Sequence, residues 1–247
     1  MIIDGHAHIG EDPEVSLSAR ELIASMDRLS IDMAVVCPMG SELVVRNREG
    51  NERVARAVEE HKGRLAGFAT ANPWWGEWAV EELHRAFKEL RLQGLKLHPA
   101  LQGFRADDRL VHPLIEEAVK HHAPIYIHTG TPVYSLPLQV AELADTFPEA
   151  QIILGHMGFA DLWTDMVGIT RGRENLYIET SRMSSTDLIR QVVREAGADR
   201  VIFGSDTPYM PQHLELEKLH RLQLGDEELQ LILGGNMARL LGLKEET

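Results

Sequence analysis

Two imidazoles one residue apart stand almost at the start of the chain, in MIIDGHAHIG. If Ile2 to Ile9 is one strand, the two-residue alternation of side chains turns His6 and His8 to one face, with Cα atoms about 6.6 Å apart. Both rings can then converge on one ion. Asp4-Gly5 has hairpin-turn chemistry, but Met1 to Ile3 is too short for a first hairpin strand. The competing reading is two solvated or core histidines, and the stretch alone does not decide between them. Further along, Lys96 and His98 sit in GLKLHP, His128 in YIHTG, His156 in LGHMG and Asp206 in FGSDTP, each at the end of a short apolar run. Neutral imidazoles and a carboxylate are usual donors to a catalytic divalent cation that keeps one position for water. Such an ion brings the pKa of that water to about 7 and generates hydroxide at neutral pH. Asp206 can then bind the metal, accept the water's proton, or both, and His156 can orient the water or polarise a substrate carbonyl.

The elements that must position these groups form a regular beat. Apolar, often β-branched runs start near Ile2, Met33, Leu65, Gly94, Pro124, Gln151, Asn175 and Val201, spaced 24 to 32 residues apart, near the length of a βαβ repeat. Amphipathic helix-length segments lie between them, the first opened by Ser18 and Glu21 at capping-box spacing. Gly94 and Gly197 are expected to stop helices, and the tail from Asp226 to be one or two helices broken at Gly234-Gly235. Alternating strand and helix imply a parallel sheet. Eight repeats suggest a closed (β/α)8 TIM barrel, an α/β fold of this typical length, as one domain over residues 1–247. A doubly wound open sheet is the competitor, but its glycine-rich first βα turn has no counterpart in HAHIGEDPE. In a barrel, chemistry gathers at the carboxyl ends of the strands. Five of the 12 histidines fall at those ends, and the other seven in helices or their flanks.

Composition narrows the function. With 38 acidic and 25 basic residues the formal charge is −13, which repels phosphate backbones and anionic lipid, so neither nucleic acid nor a membrane is an expected partner. The lone Cys37 excludes an internal disulfide and a multi-thiolate zinc site. With no leader and no long apolar run, the chain reads as a cytoplasmic protein acting on a small molecule, with a homodimer as the oligomer to test for.

The stretches DGHAHIG, GLKLHP, YIHTG, LGHMG, FGSDTP and LILGGNMARLLGL together resemble the amidohydrolase superfamily, from end to end of the chain. The likeness is to its branch of amidohydrolase-related metal-dependent hydrolases and decarboxylases, which includes aminocarboxymuconate semialdehyde decarboxylase. The resemblance implies His6, His8, His128 and Asp206 as metal ligands and His156 as the catalytic or water-orienting histidine. The ion expected is one zinc, with manganese as the alternative. Two departures stand out: the flanking β domain of many members is not expected here, and the fourth strand offers Lys96 with His98. Lys96 is open to three roles: a carbamylated bridge between two metals, a cation for a substrate carboxylate, or a buried lysine paired with an acid.

Other residues have two readings each. His98 either contacts substrate or only closes a strand end. Asp206 before Thr207-Pro208 is alternatively a helix N-cap. Trp74, Trp75 and Trp78 can wall an apolar substrate pocket or pack a helix or subunit face. Arg46 and Arg48 can grip a carboxylate in a bidentate pair or be solvated, and Glu179 is a candidate ion-pair partner inside the barrel. The first functional expectation is a metal-dependent hydrolase of a small carboxylate-bearing ester, lactone or amide. The alternatives are a nonoxidative decarboxylase of an aromatic or muconate-type acid, with Arg46, Arg48 and Lys96 holding the acid group, and a noncatalytic metal- or small-molecule-binding barrel.

Overall fold

Strands of a parallel sheet covered on both faces have no solvent side, so their sequences are runs of apolar residues rather than alternating ones. In a computed structural model describing residues 1–159 and 166–243, such runs form β1 (Ile3–Glu11), β3 (Met33–Pro38), β4 (Leu65–Ala69), β5 (Gly94–Leu97), β6 (Ile125–His128), β7 (Ile152–Gly155), β8 (Leu176–Glu179) and β9 (Val201–Ile202). Each expected start lies within one residue of the observed one. The two-residue β2 (Ser16–Leu17) was not expected; it pairs antiparallel with Gly10 and Glu11 of β1. The sheet order is β2-β1-β3-β4-β5-β6-β7-β8-β9, parallel from β1 to β9. Residues 160–165 and 244–247 of the expected domain lie outside the described residues.

The sheet curls until the residues that follow β9 meet β1. Across that seam Gly5 N donates to Phe203 O at 2.8 Å, Asp206 N to His6 O at 2.8 Å, and His8 N to Thr207 O at 2.8 Å. Gly5 is required there: a Cβ would lie 2.7 Å from Ile202 Cγ2 and 2.8 Å from Phe203 O. The register of β1 against β3 shifts between Asp4 and Ala7, a bulge that bends β1 where its first histidine leaves it. The two histidines therefore come from an irregular strand, not the uniform one assumed from spacing.

The curl gives two apolar compartments. Val35, Ala66, Phe68, Tyr126, Ile153, Tyr177 and Ile202 pack inside the sheet with Met237 of the C-terminal helix. A larger cluster lies between the sheet and the helices outside it. Burying a side chain such as Phe68 contributes about 1.5–3 kcal/mol. Among the helices, Ala19–Leu29 has the expected capping box of Ser18 and Glu21, and Gly197 caps Thr186–Ala196 with φ +103°. Gly94 does not stop a helix. It opens β5, where a Cβ would fall 2.4 Å from the Phe68 ring, so the sequence uses glycine for sheet packing at that point. Gly234-Gly235 does not break the tail either. A π turn over Leu231–Gly235 joins Asp226–Gln230 to Asn236–Leu240, and Gly234 lets the Met1 carbonyl approach to within 2.4 Å of where a Cβ would stand. No described helix is long and apolar enough to cross a membrane.

Candidate metal centre

The seam and the strand ends bring the sequence-distant groups together. His6 Nε2 lies 3.4 Å, and His8 Nε2 3.3 Å, from Asp206 Oδ1. His8 is oriented from behind: its Nδ1 is 3.0 Å from Pro38 O and 3.3 Å from Cys37 Sγ. A proton on Nδ1 given to the carbonyl turns Nε2 toward Asp206, the usual outer-shell arrangement of a metal-binding histidine, whose Nε2 proton is what a bound cation would displace. The His6 ring stacks on Tyr126 at 3.9 Å. His156, at the carboxyl end of β7, contacts His128 Nδ1 through Nε2 at 3.0 Å and Ser181 Oγ through Nδ1 at 2.7 Å. One donor atom each from His6, His156 and Asp206 lie within 4.8 Å of one another, as do donors from His6, His8 and Cys37. His128 adjoins the first set through His156.

Charge favours a cation at this point. Burial, reinforced by Lys96, drives His6 well below its ordinary pKa. Burial and the neighbouring His98 and His156 do the same to His128, and burial takes His156 to about 3. These rings are neutral, with lone pairs available. Asp206 is held well below the usual carboxylate range: burial pushes it up, but His156, His6 and His8 outweigh that. His8 is raised to about 9, since Cys37 and Asp206 overcome its burial. An ionised, buried carboxylate thus draws positive charge to the spot where two Nε2 atoms converge. The donor set fits a divalent cation.

Lys96 is buried beside the donors. Its Nζ is 3.1 Å from His6 Nε2 and 4.0 Å from the Tyr126 ring centroid, and burial lowers its pKa to about 8. His98 stacks face-on against His128 at 3.7 Å, which brings its ring beside the cluster, and accepts from Leu101 N at 3.3 Å as the cap of the short helix that follows β5. Two expected substrate groups are not brought to the cluster. Arg46 is exposed and bonds Ser41 Oγ at 2.7 Å; Trp74 is 61% exposed and donates to Gly103 O at 3.0 Å. Their residue types suggested a site, but their loops spend them on holding neighbouring backbone and side chains.

Several partners of the cluster carry no periodic signal in the sequence. Arg182 Nε donates to Asp206 Oδ2. Glu179 is fully buried and accepts from Tyr126 Oη at 2.6 Å, Ser181 Oγ at 2.9 Å and His156 N at 3.1 Å. His156, Arg182 and Asp206 have φ of +64°, +62° and +56°. Non-glycine residues in this region cost on the order of 1–3 kcal/mol each and cluster at functional sites. The only local hint was the polar run ETSR directly after the apolar LYI of β8.

A curled parallel sheet with histidines and an aspartate gathered at its carboxyl ends is an α/β architecture carrying a candidate metal site. The Amidohydrolase family model matches residues 3–243, and the chain belongs to that family, within the amidohydrolase superfamily of enzymes. The chain is 24% identical over 251 residues to gamma-resorcylate decarboxylase of Polaromonas sp., covering 79% of this chain and 76% of that one. It is 23% identical over 237 residues to 2-amino-3-carboxymuconate-6-semialdehyde decarboxylase of Dictyostelium discoideum, covering 78% and 65%; it spans just under two thirds of that relative. The fold matches a dihydroxybenzoic acid decarboxylase from Polaromonas sp. JS666, solved with manganese and 2-nitroresorcinol, at a TM-score of 0.78, 20% identity and coverage of 98% and 97%.

Proposed function

We propose that this protein is a divalent-metal-dependent, nonoxidative decarboxylase of a small aromatic or muconate-type acid, built as one (β/α)8 barrel domain. The observation that carries the reading is the placement of two basic side chains directly on the donor cluster, Lys96 at His6 and Arg182 at Asp206. Such charge suits an anionic substrate group, and the named activities of the two relatives support it. The hydrolase reading rests on the donor set alone, which suits water activation equally and does not discriminate.

His6, His8, His128 and Asp206 are the residues that would hold the ion. When bound, a divalent cation supplies positive charge that fixes the acid group or a neighbouring hydroxyl and acidifies bound water. Manganese is the first ion to test, since a fold neighbour holds it. Arg182 presents a planar, permanently charged guanidinium, and Lys96 adds a second cationic group in a water-poor setting where such charges act strongly. Decarboxylation exchanges a carbon–carboxylate bond for a carbon–hydrogen bond: a proton joins the carbon that bears the carboxylate, and the C–C electron pair returns to the unsaturated system as carbon dioxide leaves. That proton comes from water, and ionised Asp206 and neutral His156 are the groups that would relay it, with Ser181 and Glu179 fixing the orientation of His156.

The test is a substrate panel offered to manganese- and zinc-loaded protein, containing hydroxybenzoates, aminocarboxymuconate-type acids, lactones and esters. Carbon dioxide release from an acid, without hydrolysis of the esters, is expected. Hydrolytic products alone would overturn the reading.

A further inference from the structure

A second set of convergent donors lies outside the curled sheet, between the helices that follow β4 and β5. His84 belongs to the helix Glu77–Lys88, Glu117 to the helix His112–Lys120, and His121 caps the latter. His84 Nδ1 is 2.8 Å and His121 Nε2 3.1 Å from the same carboxylate oxygen, Glu117 Oε1. The three donor atoms lie within 4.8 Å of one another. Lys120 Nζ takes the other oxygen, Oε2, at 3.1 Å, which leaves Oε1 to the two rings. The His121 ring is backed by Phe87 at 5.1 Å, so its direction is set by packing.

We infer that His84, Glu117 and His121 form a second metal site, for a nitrogen-preferring divalent transition ion such as zinc, which clasps the two helices. Two imidazoles and one carboxylate suit zinc, cobalt, nickel or copper, whereas magnesium and calcium want oxygen. The geometry is close to what zinc requires. Bonds of about 2.1 Å at a tetrahedral angle separate two donors by about 3.4 Å, so the present 2.8 and 3.1 Å spacings need to open by about 0.6 and about 0.3 Å. The ion then replaces the protons lying between each ring and Oε1, and a water fills the fourth position. Glu117 is ready as an anion: burial pushes its pKa up, but His84, Lys120 and His121 together hold it below the ordinary range. His121 lies before the amino end of β6 and His128 at its carboxyl end, so this site and the candidate active site are at opposite ends of one strand.

The experiment counts zinc per chain after equilibrium dialysis of the full-length protein, of His84→Ala and of His121→Ala. His84 has a largely exposed ring, so its removal leaves the core packing intact, and far-ultraviolet circular dichroism checks each variant. The wild type is expected to retain one zinc more than either variant, to gain more in melting temperature on zinc addition, and to share their catalytic rate. Ions held by His6, His8 and Asp206 are common to all three proteins and cancel in the difference. Equal zinc content and equal thermal shifts in the three proteins would overturn the second site.

Discussion

Arg182 donates to Asp206 Oδ2 while His6 and His8 face Asp206 Oδ1, so one carboxylate is shared between a guanidinium and the two leading candidate ligands. The arginine fixes the plane of the carboxylate and keeps the second oxygen occupied. Replacing it with alanine should lower kcat/KM for an acid substrate by about 10- to 100-fold, the range for losing one charge-assisted contact of about 1.5–3 kcal/mol. Bound metal should stay near wild-type level. Steady-state kinetics with elemental analysis on the same samples checks both halves.

Asp206→Asn keeps the shape but removes the charge that draws a cation to the cluster. Activity should fall by at least about 100-fold, the lower end of what a positioned acid-base group contributes, and metal content should fall with it. A variant that retains full metal and full activity would remove Asp206 from the proposed machinery.

The carboxylate–histidine core was legible because its residues close apolar runs: His128 ends β6, His156 follows β7, and Asp206 follows β9. The strand rhythm itself was readable because each run must be apolar on both faces. What could not be read depends on three-dimensional closure. The bulge between Asp4 and Ala7 answers to the seam with residues 203–207, and Arg182 reaches Asp206 through a left-handed backbone that no local pattern marks. The sequence leaves Lys96 three roles, and only the curl places it against His6. Arg46 and Trp74 have chemistry that suits a site, but what the fold shows of them is local, a bond to Ser41 Oγ and one to Gly103 O, which no spacing in the sequence encodes.

Gly5 tests the seam. Alanine there brings a methyl within 2.7–2.8 Å of Ile202 and the Phe203 carbonyl. Overpacking of this kind costs about 1–3 kcal/mol, and the loss should appear as a lower denaturant midpoint at unchanged m. Activity should drop further than stability alone explains, since the same seam sets Asp206 against His6.

Burial raises the Glu179 carboxyl to about 7 against the donated hydrogen bonds that pull it down. Its folded pKa lies above the unfolded value, so its contribution to stability is complete below about pH 4.5 and is lost as pH rises through 7. The loss is on the order of 3 kcal/mol at 1.36 kcal/mol per pKa unit. Denaturation of chelator-treated protein between pH 5 and 8 should show wild-type stability declining more steeply than that of Glu179→Gln; parallel curves would contradict the assignment.

Tyr126→Phe removes the hydroxyl that donates to Glu179 at 2.6 Å and leaves the ring under His6 in place. A buried acceptor deprived of its donor costs about 1–3 kcal/mol. A lowered melting temperature with metal content preserved is the expected outcome.

The central claim, that groups from both ends of the chain grip one cation, is tested most directly by anomalous diffraction from crystals grown with manganese. A single strong peak in direct coordination with His6 Nε2, His8 Nε2 and Asp206 Oδ1, absent from His8→Ala crystals, is the predicted result. No peak at that position in the wild type, or a peak that persists unchanged in His8→Ala, would contradict it.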